Sequence, residues 1–225
     1  HLALHLLRAA DPSREWEGLR EGVDEVLTCP LTCTATNWPI LANRLRIKWV
    51  DADPTTCNMC VTDLERKLSP TTKVIMLVHW GGSPVDLDRV AHVQEVCFQR
   101  FGFRPRVIED CAQAHGAMSQ GRHVGSIGDV GCFSFYPTKN LGSLGDAGLL
   151  VTRESELADR ARLLREYGWD EQRVSRLAGW NTRMDEIQAA ILRAKLKSLD
   201  QANAARRRVA AQYDQALSDL DLSQP

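Results

Sequence analysis

Short apolar runs alternate with helical patterns along most of the chain. The runs that predict strands are 25–28, 46–50, 73–79, one that ends on Asp110, one that carries Ser134, and 149–152. Strands that alternate with helices predict a mostly parallel sheet with helices on both faces. The pattern therefore indicates an α/β fold with three layers.

The helical patterns are bounded by glycine, proline and capping residues. Four of them are 1–7, 62–68, 86–101 and 155–167. A fifth follows a turn at Pro30 and ends near Asn43. Pro39 is expected near the first turn of the second helix, and Thr62 to Glu65 has the spacing of a capping box. Gly102 and Gly168 are expected to end two of the others.

The last helical pattern, 184–217, contains no glycine or proline. A helix of this length normally leads from one domain to another domain or to a partner. We therefore expect a large domain over residues 1–180 and a long helix over 181–225 that leads to a small C-terminal domain. Because His1 opens a helix with neither an initiator methionine nor an N-cap, we expect the chain to be a fragment.

The composition is that of an ordinary globular protein, with 44% hydrophobic and 25% charged residues and a formal charge of −1. The Arg206–Arg208 triplet is isolated, so we expect no nucleic-acid partner, and without an apolar run of 18 residues we expect no membrane span. Seven cysteines without a signal peptide favour reduced thiols in the cytoplasm. Cys57 and Cys60 have zinc-like spacing, but no second pair follows, so no metal site is expected.

Two charged residues lie where predicted strands end. Asp110 closes one apolar run, and Lys139 follows another within an aromatic and glycine-rich stretch. The carboxyl ends of strands open into the ligand crevice of α/β sheets, which makes both residues candidates for a site. A lysine in apolar surroundings can attack a carbonyl carbon and hold it as a Schiff base, as in pyridoxal phosphate enzymes. The alternative is a helix cap at Asp110 and a solvated loop residue at Lys139.

The surrounding motifs resemble those of the DegT/DnrJ/EryC1/StrS family of pyridoxal-phosphate-dependent sugar aminotransferases. EDxAQAxGA begins at Glu109, FSFxxxKN at Phe133, and GxNxRMxEIQAA at Gly179. The resemblance implies the three-layer large domain of the aspartate-aminotransferase fold, which is fold type I of these enzymes. It also implies a homodimer with shared active sites.

The resemblance further assigns roles to single residues. Lys139 would form the Schiff base, Asp110 would face the pyridine nitrogen, Gln113 would lie near the phenolic oxygen and Ser134 near the phosphate. Asn181 would reach the phosphate of the neighbouring subunit, although an N-cap of the long helix is an alternative for it.

Two departures from the family pattern concern the cofactor ring and the loop after Lys139. Cys33 stands where the family usually has an aromatic residue stacked on the ring, and Gly145 to Gly148 reads GDAG in place of GEGG. Trp80 follows a strand end and either lines the crevice or packs under a turn.

The leading hypothesis is an aminotransferase that acts on a nucleotide-linked keto sugar, with glutamate as the expected amino donor. A sugar dehydratase of the same fold would need Lys139 replaced, usually by histidine. A noncatalytic regulator is a third hypothesis, which Cys33 favours and the intact Asp110, Gln113, Ser134 and Lys139 set disfavours. A nucleotide-binding domain is a weak fourth, because neither GxGxxG nor GxxxxGK[ST] is present in the expected context.

Overall fold

The structure is a computed structural model, and it describes residues 1–220 apart from the side chain of Arg14. The helices are α1 (Leu2–Leu6), α2 (Thr34–Ala42), α3 (Val61–Arg66), α4 (Leu87–Phe101), α5 (Ser155–Arg165), α6 (Glu186–Leu196) and α7 (Leu199–Ala216). Single 3₁₀ turns lie at Pro12–Arg14 and Trp80–Gly82. Within residues 1–220, no helix has the length and apolar character needed to cross a bilayer.

The strands form one large sheet and one small hairpin. They are β1 (Glu25–Thr28), β2 (Arg46–Trp49), β3 (Thr72–Val78), β4 (Arg106–Asp110), β5 (Met118–Ser119), β6 (Arg122–His123), β7 (Val130–Ser134) and β8 (Gly148–Val151). The large sheet has the order β2-β1-β3-β4-β7-β8, in which β8 alone runs antiparallel to its neighbour. The predicted mostly parallel sheet is confirmed.

Helices cover both faces of this sheet. All seven residues of β3 are buried, as expected for a strand enclosed on both sides. Val74 packs on one face in a cluster that includes residues of α1 and α2, whereas Ile75 packs on the other face with residues of α3 and α4. The three-layer arrangement predicted from the sequence is therefore present.

Two helix starts differ from the prediction. The helix predicted to open with a capping box at Thr62 begins one residue earlier, after Cys60, and no side chain caps it. Asp63, inside that box, accepts the backbone N–H of Asp51 (2.8 Å) and pairs with Lys67 (2.7 Å). Similarly, α2 begins at Thr34, so Pro39 lies inside the helix and not in its first turn.

The segment 184–217, predicted as one helix, is divided between α6 and α7. The backbone N–H and the hydroxyl of Ser198 both donate to the Lys195 carbonyl, at 3.1 and 3.0 Å. A serine hydroxyl that competes for a helical carbonyl can bend a helix without glycine or proline. The division allows Leu192 of α6 and Leu199 of α7 to join one apolar cluster with Phe135.

Candidate active site

The parallel strands carry polar side chains to one edge of the sheet. Asp110 is the last residue of β4 and pairs in register with Cys132 of β7. Ser134 is the last residue of β7, and the chain then turns so that the Lys139 N–H donates to the Tyr136 carbonyl at 2.9 Å. The carboxyl ends of these strands therefore place Asp110, Ser134 and Lys139 at one edge, which is where ligand crevices form in such sheets.

The Asp110 carboxylate is fixed by a hydrogen bond to each of its oxygens. The Thr36 hydroxyl donates to Oδ2 at 2.6 Å, and the Ala112 N–H donates to Oδ1 at 3.0 Å. The Thr36 hydroxyl also lies 2.7 Å from the Thr32 hydroxyl. Because the single Thr36 proton is given to the carboxylate, Thr32 is the donor in that second contact. The orientation of the carboxylate is thus set by a chain of two hydroxyls and one backbone amide.

A cavity of about 480 Å³ opens beside these groups. Asp110, Ser134 and Lys139 all line it, and so does Cys33, the exposed N-cap residue of α2. The volume is within the range typical of small-molecule sites. The structure therefore brings together an amine, a carboxylate, a hydroxyl and a thiol from segments far apart in the sequence.

Five further polar residues of the lining were not predicted from the sequence. They are His1, Thr36, Tyr136, Thr138 and Asp146. Thr36 lies three residues after Cys33, a spacing that puts both on the same side of a helix, and this was the available signal. Tyr136 and Thr138 flank Lys139 in the chain, and their hydroxyls are additional hydrogen-bonding groups at the cavity.

Gln113 and Trp80 do not line this cavity. The Gln113 side chain is exposed, and its Oε1 accepts the Gly81 N–H at 2.9 Å. The Trp80 N–H donates to Oδ1 of Asn58 at 3.0 Å, and the Trp80 ring is half-buried. Gln113 is thus tied to the turn after β3, and its assignment to the phenolic oxygen stays a prediction.

Asn181 lies outside the cavity of its own chain. It is exposed and forms an isolated antiparallel bridge with Glu166. The N-cap of α6 is Asp185, so the alternative role of Asn181 as the cap of this helix is wrong. Its reach to a neighbouring subunit stays a prediction.

A fully buried pair, His79 and Glu109, lies on the other side of β4 from Asp110. Nδ1 of His79 accepts the Val85 N–H at 3.0 Å, so the ring proton is on Nε2, which donates to Glu109 at 3.0 Å. Glu109 also accepts the N–H groups of three residues in the turn before β7, which are Gly125, Ile127 and Gly128. This pair ties the sheet to that turn.

Together with Cys111, this pair forms a group of three residue types that can bind metal ions. The potential ligand atoms of His79, Glu109 and Cys111 lie within 4.8 Å of one another. Both ring nitrogens of His79 already make hydrogen bonds, however, and burial raises the pKa of the Cys111 thiol. We therefore interpret the group as structural. Cys57 and Cys60, which have zinc-like spacing, are free thiols outside it.

A second cavity, of about 620 Å³, lies at the opposite edge of the sheet. It is lined by Lys73 near the start of β3 and Arg106 at the start of β4. Nζ of Lys73 lies 3.5 Å from the centre of the Phe103 ring, and Arg106 pairs with Asp129 at 2.7 Å. Although it is larger, this cavity contains none of the residues predicted for a site.

Comparison with known proteins gives one family. The chain matches the DegT/DnrJ/EryC1/StrS aminotransferase family over residues 3–225. It is 42% identical over 202 residues to UDP-N-acetyl-3-dehydro-alpha-D-glucosamine 3-aminotransferase of Acidithiobacillus ferrooxidans, covering 90% of this chain and 53% of that protein. It is 38% identical to a protein of Geobacillus stearothermophilus named pleiotropic regulatory protein, covering 87% and 51% of the two chains.

Solved structures of similar proteins point to the same family. The crystal structure of the sugar aminotransferase CalS13 from Micromonospora echinospora has a TM-score of 0.86 and 40% identity, over 98% of this chain and 59% of that chain. The predicted fold of the large domain is confirmed. The chain spans about half the length of the relatives it matches. The matched family model and these similarities show that the chain belongs to the DegT/DnrJ/EryC1/StrS aminotransferase family.

Proposed function

We propose that this chain is the cofactor-binding part of a pyridoxal-phosphate-dependent aminotransferase that acts on a nucleotide-linked keto sugar. The observation that carries the proposal is that Lys139, Asp110 and Ser134 line one cavity and that the Asp110 carboxylate is fixed at both oxygens. The family membership and the names of its relatives support the same reaction.

The residues present fit pyridoxal phosphate. The group carries an aldehyde, a basic ring nitrogen and a phosphate, and the cavity offers an amine, a carboxylate and hydroxyls to match them. When bound, the cofactor supplies an electron sink for charge that develops at the carbon beside the amino group. Lys139 would hold its aldehyde carbon, Asp110 its ring nitrogen and Ser134 its phosphate.

Each of these side chains has a separate task. The Asp110 carboxylate holds a proton on the ring nitrogen, because a fixed negative charge beside that nitrogen favours its protonated form. Nζ of Lys139 takes a proton from the α-carbon of the amino donor. In the second half of the reaction it moves a proton in the opposite direction, to the carbon of the keto sugar that receives the amino group. The Tyr136 N–H donates to Oγ of Ser134 at 3.3 Å, which leaves the Ser134 proton free to be donated to a phosphate oxygen.

The substrates and the oligomer belong to the same proposal. Glutamate is the proposed amino donor, and a UDP-linked 3-keto sugar is the first acceptor to assay, because the relative from Acidithiobacillus ferrooxidans is named for such a substrate. Two chains would share active sites, with Asn181 of one reaching the phosphate held by the other. Residues 1–180 would form the large domain, and 181–225 would lead to a small one.

The alternatives have less support. A dehydratase of this fold would need Lys139 replaced, and the lysine is present in the cavity. A noncatalytic regulator is consistent with the name of the relative from Geobacillus stearothermophilus. A regulator that catalyses no reaction does not need Lys139 and an anchored Asp110 in the same cavity.

The deciding experiment is an absorbance titration of the purified protein with pyridoxal phosphate, followed by borohydride reduction and peptide mapping. We expect a reducible adduct on Lys139, and we expect Lys139→Ala to lose both the adduct and transamination. Lys67→Ala is the matched control and should keep both. A stable adduct on Lys67 or Lys73, or no adduct on any lysine, would contradict the proposal.

A further inference from the structure

The loop that follows Lys139 is held by side chains from α6 and α7. Oε1 of Gln188 accepts the Leu144 N–H at 2.8 Å, and Nζ of Lys195 donates to the Gly142 carbonyl. Both contacts are made to the backbone of the loop. Helix α6 therefore restrains the loop directly after Lys139 through these two contacts, although neither α6 nor α7 contributes a residue to the cavity lining.

Asn203 of α7 makes the third contact, and it differs from the other two because it joins two segments. The residue is only 9% exposed. Its Oδ1 accepts a hydrogen bond from Nδ2 of Asn140 at 3.0 Å, and its Nδ2 donates to the His115 carbonyl at 2.8 Å. Since a carboxamide oxygen only accepts and its nitrogen only donates, the two partners fix the orientation of the side chain.

Both partners of Asn203 belong to segments that carry residues of the site. Asn140 directly follows Lys139, and His115 lies in the turn that begins after Asp110. A Cβ atom placed on Gly116 would come within 3.0 Å of Nδ2 of Asn203, so α7 lies directly against this turn. One buried side chain thus connects the segment of Asp110 with the segment of Lys139.

We propose that Asn203 is a positioning residue that sets the place of Lys139 relative to Asp110. The inference rests on the proposed roles of those two residues. A base that is displaced by about 1 Å from its working position can lose about 100-fold in rate, even when substrate binding is unchanged. The bond from Asn140 to Asn203 restrains the backbone next to Lys139, and the bond from Asn203 to His115 anchors that restraint to the turn after Asp110.

The test uses the holoenzyme and three variants, Asn203→Ala, Asn140→Ala and the double variant. The measurements are the visible circular dichroism of the bound cofactor, which reports its orientation, and the rate at which glutamate discharges its absorption band. We expect each single variant to change the dichroism signal and to lower the maximal rate about tenfold, with little change in the glutamate concentration at half-maximal rate. The double variant should react no more slowly than the slower of the two single variants, because each substitution breaks the same hydrogen bond between Asn140 and Asn203.

Gln201→Ala is the matched control, since Gln201 is an exposed residue of the same helix, and it should leave both readouts unchanged. Asn140 is exposed, so Asn140→Ala keeps the test valid if Asn203→Ala fails to fold. Unchanged dichroism and rate in folded Asn140→Ala would overturn the inference, and so would full additivity in the double variant. If the unsubstituted protein binds no cofactor at Lys139, the proposed function fails instead, and the reduction and mapping experiment detects that separately.

Discussion

The Thr36 hydroxyl donates a 2.6 Å hydrogen bond to Oδ2 of Asp110 across 74 positions of sequence. Thr36 lies on α2 and Asp110 ends β4, so the bond crosses from a helix to the sheet. Hydrogen bonds to ionised groups are stronger than those between neutral groups. Thr36 therefore holds the carboxylate that we propose for the ring nitrogen.

Thr36→Val should weaken cofactor binding, because it removes this bond and leaves Oδ2 without that donor. A hydrogen bond to a charged group contributes about 2 kcal/mol, which corresponds to a loss of affinity of more than about tenfold. Titration with pyridoxal phosphate, followed by absorbance, measures the change. Thr34→Val is the control, since Thr34 is an exposed residue of the same helix. Equal affinities for the two variants would contradict the role of Thr36.

Asp110→Asn should still load with cofactor at saturating concentration, although with lower affinity, and it should lose most of the turnover. A neutral amide cannot hold the proton on the ring nitrogen, so we expect a cost of about 3 kcal/mol in the barrier, or roughly two orders of magnitude in rate. Steady-state transamination measures the rate, and the absorption band verifies that the variant is loaded. Unchanged turnover in the loaded variant would remove Asp110 from the reaction.

Cys33→Phe should tighten cofactor binding, because it restores an aromatic ring at the cavity where this chain has a thiol. Aromatic pairs gain about 1 kcal/mol beyond the burial of their area, which is roughly fivefold in affinity. Cys33→Leu separates the two effects, since leucine adds apolar area without a ring. If leucine and phenylalanine give the same affinity, the gain comes from burial and not from stacking.

Glu109→Gln should lower the free energy of unfolding above pH 4.5. This loss should become progressively smaller as the pH falls below 4.5. Burial alone would raise the pKa of Glu109, but the hydrogen bonds from His79 and from the backbone N–H groups of Gly125 and Gly128 together lower it from 4.5. A group with a lowered folded-state pKa contributes its stability above the unfolded value, and that stability is lost as the pH falls through the folded value.

Urea unfolding at a series of pH values measures this effect. At neutral pH we expect Glu109→Gln to lose about 3 kcal/mol of unfolding free energy, because it leaves buried donors poorly matched. The difference from the unsubstituted protein should narrow as the pH falls below 4.5. Glu171→Gln changes an exposed residue and is the control. A difference that stays constant with pH would show that the loss comes from packing.

Mixing Asn181→Ala chains with Lys139→Ala chains should restore activity if two chains share their sites. A heterodimer of these variants would contain one site with both residues intact and one with neither. We expect activity to return toward about a quarter of the unsubstituted level, because random pairing makes half of the dimers mixed and each has one working site. Absence of recovery, with heterodimers demonstrated by mass, would show that Asn181 acts within its own chain or not at all.

The sequence was informative where a continuous apolar run was the signal. The strand before His79 is a continuous apolar run, and Asp110 and Lys139 could be predicted because each follows such a run. Thr36 could not be assigned to Asp110, since nothing local to either residue records a contact across 74 positions. The division at Ser198 was also missed, because it occurs without glycine or proline, at a serine whose hydroxyl donates to the Lys195 carbonyl.

The antiparallel direction of β8 has a consequence for how this family can diversify. Since β7 and β8 run in opposite directions, residues 135–147 connect the two strands at one edge of the sheet and never need to cross to the other. Insertions in this connection therefore do not have to change the register of either strand. Transplanting this connection between relatives should carry the proposed chemistry of Lys139 along, provided that its partners Gln188, Lys195 and Asn203 are transplanted with it.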